Sequence, residues 1–285
     1  MIDVSIASTQ EPLTVARPPA PLPRIRVGVG GWLYEPWRDN YYPAGLPHKR
    51  ELEYSSRRLT TIEIDSTYYR DQKPATFAKW RDETPDNFIF SLKASMFTTN
   101  RKRLTDGAES IRRFLASGII ELGHKLGPVV WQFMPTKRFD AVDFEAFLCL
   151  LPSTLDGIPL RHALDVRHES FKCVEYLALA RRYGMTTVCT DSDQYPAIGD
   201  TTGSFVYLRL MRADARLANG FRPQVLDQLA ECAQWWRDGN EPLNLSRLEP
   251  IPPKVPPRDV FVYFINGAKE RAPAAAMALI KRLTT

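Results

Sequence analysis

Short runs rich in β-branched and aromatic residues recur along this chain, and most are followed by a stretch whose apolar residues keep helical spacing. That alternation of period 2 with period 3.6 marks repeated βα units, because each strand must bury a face under the helix that follows it. The runs are 25–30, 60–65, 87–93, 128–133, 162–167, 186–191, 205–210 and 259–265. Helical patterns occupy 48–59, 74–83, 106–118, 140–150, 172–184, 223–237 and 273–283, so only the connection after the sixth run lacks one. The expected fold is α/β, a single (β/α)8 TIM-type barrel. A doubly wound open sheet is the alternative, but it usually carries a Gly-x-Gly-x-x-Gly turn. Gly28, Gly30 and Gly31 do not make that turn, because Trp32 and Tyr34 fill the positions where it enters a helix. No nucleotide cofactor is indicated.

The barrel should occupy 25–285. Residues 1–24 end in Pro18-Pro19-Ala20-Pro21-Leu22-Pro23 and show neither period, so a disordered, Pro-rich leader is expected. A second Pro-rich stretch, 239–257, leads from a helix into the last run and reads as a stiff connector at the stability end of the barrel. No segment approaches the roughly 18–20 apolar residues of a membrane span, and the N-terminus lacks secretory-signal order, so a soluble, cytoplasmic protein is expected. Cys149, Cys173, Cys189 and Cys232 are scattered and read as buried free thiols.

Strand parity then selects the interior. Ile62 and Ile64 must face helices, which turns Thr61, Glu63 and Asp65 inward; Leu164 and Val166 likewise turn Asp165 and Arg167 inward. The same reading places Lys93, Gln132, Asp191, Tyr207, Arg209 and Asn266 inward near strand C-termini, with Trp32 as an aromatic wall above space left by Gly28 and Gly30. This ring surrounds one cavity mouth, where barrel enzymes place substrate.

The ring holds four acids, Glu63, Asp65, Asp165 and Asp191, against Lys93, Arg167 and Arg209. Buried ions need partners, so these groups pair with each other, with water or with a ligand. A self-satisfied network is one reading. A polar ligand is preferred, since branched apolar residues fill barrel interiors more cheaply. Acid/base work on a hydroxylated substrate would draw on Glu63, Asp165 and Asp191, with Asp65 and Tyr68 nearer the ligand. Lys93, Arg167 and Arg209 make an anion clamp. A Schiff-base role for Lys93 is disfavoured at this stage, because neighbouring carboxylates should keep its amine charged.

Only His168, of His48, His124, His162 and His168, stands near this rim, and parity turns it off the inner face towards either a hydrogen-bonded structural role or ligand contact. No histidine-rich metal site is visible; an oxygen-ligand site for a divalent metal is permitted by the acids. The loop Asn266–Pro273, with Lys269 and Arg271, sits where barrels often hold phosphate. A net charge of +5 permits nucleic acid as a partner without indicating it.

Several stretches in order resemble the YecE-like family, domain-of-unknown-function family 72. They are Gly30-Gly31-Trp32 with Trp37, Tyr42-Pro43 and Gly45-Leu46-Pro47; Glu63-Ile64-Asp65-Ser66-Thr67-Tyr68-Tyr69; Lys93-Ala94; and Lys125-Leu126-Gly127-Pro128 with Gln132. Arg167-His168 with Phe171, Tyr207-Leu208-Arg209, and Tyr263-Phe264 with Asn266 and Ala272-Pro273 complete the set, which covers about 25–283. The resemblance implies a (β/α) barrel and no particular reaction. It also implies departures at the rim: Asn100 and Met211-Arg212 stand where relatives usually have His and His-Gly, and Asp165 and Asp65 replace Glu and Asn. Ile265 and Gly267 stand where Asn and Asp are common. The expected function is therefore binding, with or without transformation, of a small anionic or hydroxylated molecule. The alternatives are a non-catalytic barrel and a metal-dependent phosphodiester hydrolase.

Overall fold

A computed structural model describes residues 24–252 and 255–284, so nearly all of the expected leader lies outside the described residues. The strands are β1 (Ile25–Gly30), β2 (Thr61–Ile64), β3 (Ile89–Lys93), β4 (Leu126–Gln132), β5 (Thr154–Leu155), β6 (Ile158–Pro159), β7 (His162–Asp165), β8 (Thr186–Thr190), β9 (Val206–Leu210) and β10 (Val260–Phe264). All but β5 and β6 close into one parallel barrel in the order β1-β10-β9-β8-β7-β4-β3-β2. β5 and β6 form a two-stranded antiparallel hairpin beside it. Pairs of two residues carry no detectable period, which is why the sequence did not show them.

The helices are α1 (Glu51–Ser56), α2 (Ser66–Tyr69), α3 (Pro74–Asp82), α4 (Ala108–Leu115), α5 (Ala141–Leu148), α6 (Val174–Arg182), α7 (Pro223–Arg237) and α8 (Ala272–Thr284). Proline opens α3 and α7, where its missing N–H costs nothing. Between β8 and β9 the described backbone is irregular, as the broken pattern there predicts.

Parity holds through the sheet. Ile62, Ile64, Leu164 and Val166 join the outer core against the helices, whereas Ile89, Val130, Ala163, Val188, Phe261 and Tyr263 fill the barrel. Tyr207 stacks on Tyr263 at 4.9 Å, and Tyr263 OH reaches Thr61 Oγ1 at 2.8 Å, so the middle layer is aromatic and hydroxylated. The space expected at Gly28 and Gly30 is taken. A Cβ on Gly28 would lie 1.9 Å from the Thr61 carbonyl oxygen, so glycine is needed there to let β1 and β2 approach. Gly30 is filled by Asp65 and Ile265.

Described parts of the Pro-rich 239–257 stretch contain neither helix nor strand, and they flank a cleft of about 610 Å³ with Thr201–Ser204, which precede β9. The cysteines are free, but the expected burial fails for Cys149, which is exposed just past α5, and is only partial for the other three. Among the described residues, no helix is long and apolar enough to cross a membrane.

Candidate active site at the barrel mouth

β9 carries Arg209 into the barrel between β2 and β7, and there its guanidinium is divided. Nη2 donates to Glu63 Oε1 at 2.9 Å, and Nη1 donates to Asp165 Oδ2 at 2.5 Å and to Gln132 Oε1 at 3.2 Å. Tyr207 OH donates to Glu63 Oε2 at 2.6 Å from the layer below. Arg167 closes the network from above, with Nε and Nη2 on Asp165 Oδ2 at 3.1 and 2.9 Å and Nη2 also on Gln132 Oε1 at 2.8 Å. Glu63, Asp165, Tyr207 and Arg209 are all enclosed, none more than 2 % exposed. The charges therefore compensate one another, the arrangement the sequence admitted but ranked second.

The electrostatics follow from that pairing. Burial opposes ionisation of Asp165, but Arg209 and Arg167 outweigh it and hold the carboxyl below its ordinary value. Burial likewise opposes charge on Arg209, and Glu63 with Asp165 keep it firmly protonated. Tyr207 is pushed well up by burial and by the Glu63 charge, so it remains a phenol.

Lys93 stands apart. Its side chain is 9 % exposed, its Nζ is 3.8 Å from Asp65 Oδ1, and it sits 4.1 Å from the centre of the Tyr68 ring. Among the described residues it donates no hydrogen bond. Here the expectation from charge counting is corrected. Glu63 and Asp165 are already taken by Arg209 and Arg167, and burial together with the Arg209 charge pulls the Lys93 ammonium below the ordinary lysine value.

Tyr68 OH accepts from Gln132 Nε2 at 3.3 Å, which ties the Lys93 side of the mouth to the Arg167 side. Arg167 also lies over the Tyr195 ring at 4.4 Å. Asp65 is more open, 28 % exposed, and walls a cleft of about 130 Å³ with Trp32, Leu33 and Lys269. Trp32 is fixed edge-on against Trp80 at 5.2 Å, and Lys269 lies 5.0 Å from the Tyr34 ring. Neither Lys269 nor Tyr195 was singled out for this site by parity, because both stand on loops rather than strands.

The remaining expected residues sit elsewhere on the rim. Asp191 Oδ1 accepts from Met211 N at 2.6 Å, and burial raises its carboxyl above the ordinary value. No contact joins it to Arg209 or Lys93 among the described residues. Asn266 is exposed and lines a separate cleft of about 380 Å³ with Tyr195, Met211, Arg212 and Gly267. His168 Nδ1 accepts from Ser170 N at 3.0 Å, which caps a short 3-10 turn. Asn100 lines a third cleft, of about 530 Å³, with Arg101, Lys102, Lys137 and Arg138. Among the described residues, no three His, Cys, Asp or Glu side chains converge as a metal site. The inward acids do not converge on one, since Arg209 stands between Glu63 and Asp165.

Residues 26–285 match the family described as "Protein of unknown function DUF72", and the chain belongs to that family. The barrel is similar to the crystal structure of a DUF72 family protein from Thermotoga maritima MSB8, at TM-score 0.69 and 21% identity, covering 92% of this chain and 99% of that one. A DUF72 family protein from Enterococcus faecalis V583 gives TM-score 0.64 at 16% identity, covering 92% and 98%. The UPF0759 protein YunF of Bacillus subtilis (strain 168) is 28% identical over 153 residues, and the match spans about half of each chain, 52%.

Proposed function

We propose that this DUF72 barrel binds a small anionic or hydroxylated molecule at its C-terminal mouth, seated on Lys93 with Asp65, Tyr68 and Arg167 around it. One observation carries the reading: among the described residues, the Lys93 side chain, only 9 % exposed, is ion-paired with Asp65 alone, at 3.8 Å, and its ammonium donates no hydrogen bond. An enclosed cation with unspent donors is costly unless a ligand or water satisfies it, and an anion does so with the strongest bonds available. Asp65 supplies an acceptor for a hydroxyl group on the same molecule, whereas Gln132 Oε1 is already taken by Arg167 and Arg209. Glu63, Asp165 and Arg209 set the floor of the site and fix Arg167; acid/base chemistry would fall first to Asp65, the carboxylate open to the cleft.

Calorimetric titration with inorganic phosphate and with glycerate tests this. Lys93→Met should weaken binding at least about tenfold, as expected for loss of a charge-assisted contact, while Lys93→Arg retains it. Equal affinity in the wild type and Lys93→Met would remove the basis of the proposal.

A further inference from the structure

The barrel mouth supplies an amine, an acid/base group beside it, and cations positioned away from the reacting nitrogen. We infer that Lys93 forms an imine with a small carbonyl compound that carries an anionic group. This rests on the mouth-binding reading above and names the substrate class and the reaction.

The geometry of the β3 end is the argument. An imine-forming lysine must lose its proton and hold its lone pair free of hydrogen bonds. Arg209 and Arg167 remove that obstacle by occupying the carboxylates that would otherwise hold Lys93 charged. What remains is Asp65 at 3.8 Å, beyond hydrogen-bond reach but close enough to exchange a proton once a substrate tightens the site. Burial, acting with the Arg209 and Arg167 charges against Asp65 and Glu63, also favours the neutral amine. Asp65 also walls a cleft of about 130 Å³, room for a molecule of a few heavy atoms; Lys93 does not line that cleft, and Asp65 is the residue shared between it and the amine. Lys269 on its rim and Arg167 across Gln132 are the cations left to take the anionic end.

The step balances. The Lys93 ammonium gives a proton to Asp65, and the neutral Nζ adds to the carbonyl carbon. The carbonyl π pair moves to oxygen, which takes a proton from the nitrogen that has just added, to give a neutral carbinolamine, while Asp65 keeps the proton it accepted. Asp65 then protonates the hydroxyl, the C–O bond breaks, water leaves, and the nitrogen lone pair closes the C=N bond. The product is a protonated imine and one water, with no oxidant or reductant consumed.

Glyoxylate, a small anionic aldehyde that reacts with any free amine, is the probe. The full chain is incubated with glyoxylate and sodium cyanoborohydride near neutral pH, and peptide mapping locates Nε-carboxymethyl-lysine. Lys93 should be labelled faster than the exposed Lys49 and Lys102, since an amine whose pKa is lowered holds a larger neutral fraction near neutral pH. Asp65→Asn should slow labelling of Lys93 and leave Lys49 unchanged. Lys93→Arg should abolish the rapid label. If Lys93 reacts no faster than Lys49 while phosphate binding persists, the imine is wrong and the binding reading stands. If phosphate binding is itself indifferent to Lys93→Met, both fall.

Discussion

Lys93 Nζ stands 3.8 Å from Asp65 Oδ1, past hydrogen-bond distance, although the lysine side chain is nine-tenths enclosed. The reason lies one layer deeper, where Arg209 and Arg167 have claimed the carboxylates that charge counting would have assigned to it. The loose pairing of Lys93 with Asp65 thus goes with a network whose Glu63, Asp165 and Arg209 are buried beneath the mouth.

That network predicts a stability cost. Arg209→Met leaves Glu63 and Asp165 buried without their shared cation and should destabilise the fold by about 3–5 kcal/mol in urea unfolding at neutral pH. A loss below about 1 kcal/mol would mean that the pairing contributes far less than its burial implies.

The fold was largely legible in the sequence because apolar parity leaves little choice: Ile62 and Ile64 cannot face the same side as Glu63. Which acids stay free was not legible. Glu63, Asp65 and Asp165 all read as inward, and the choice of Glu63 and Asp165 as Arg209 partners depends on register across β2, β9 and β7, which no local pattern encodes. Tyr195 escaped for a similar reason, since parity says nothing off a strand, whereas Lys269 was flagged through the position of its loop after the last strand and not through parity.

Acid sensitivity follows from Asp165. Its folded-state pKa is depressed, so the stability it contributes is present above the unfolded carboxyl value, roughly 3.9, and is lost as pH falls through the folded value. Unfolding free energy should therefore fall below about pH 4, and Asp165→Asn, less stable near neutrality, should flatten that decline. An unchanged acid slope in the variant would contradict this assignment.

Tyr207→Phe removes the phenol that donates to Glu63 at 2.6 Å. Because Glu63 keeps Arg209, the expected cost is about 1–3 kcal/mol by chemical denaturation. Phosphate affinity should be unchanged, since Tyr207 lies below the mouth; a parallel loss of affinity would show that the ligand reaches this layer.

Gly267 has φ +79°, and a Cβ there would lie 2.5 Å from both the backbone N and O of Ala213. Gly267→Ala should cost more than about 1 kcal/mol, read as a lower Tm, because it strains the backbone and separates the loops after β9 and β10. An unchanged Tm would show that this loop junction yields easily.

The most direct test of the account is a crystal structure of the protein grown with phosphate. The account predicts an anion within about 2.7–3.2 Å of Lys93 Nζ, with Asp65 and Arg167 flanking it. Lys93 satisfied by Asp65 and ordered water alone, with no anion at the mouth, would contradict it.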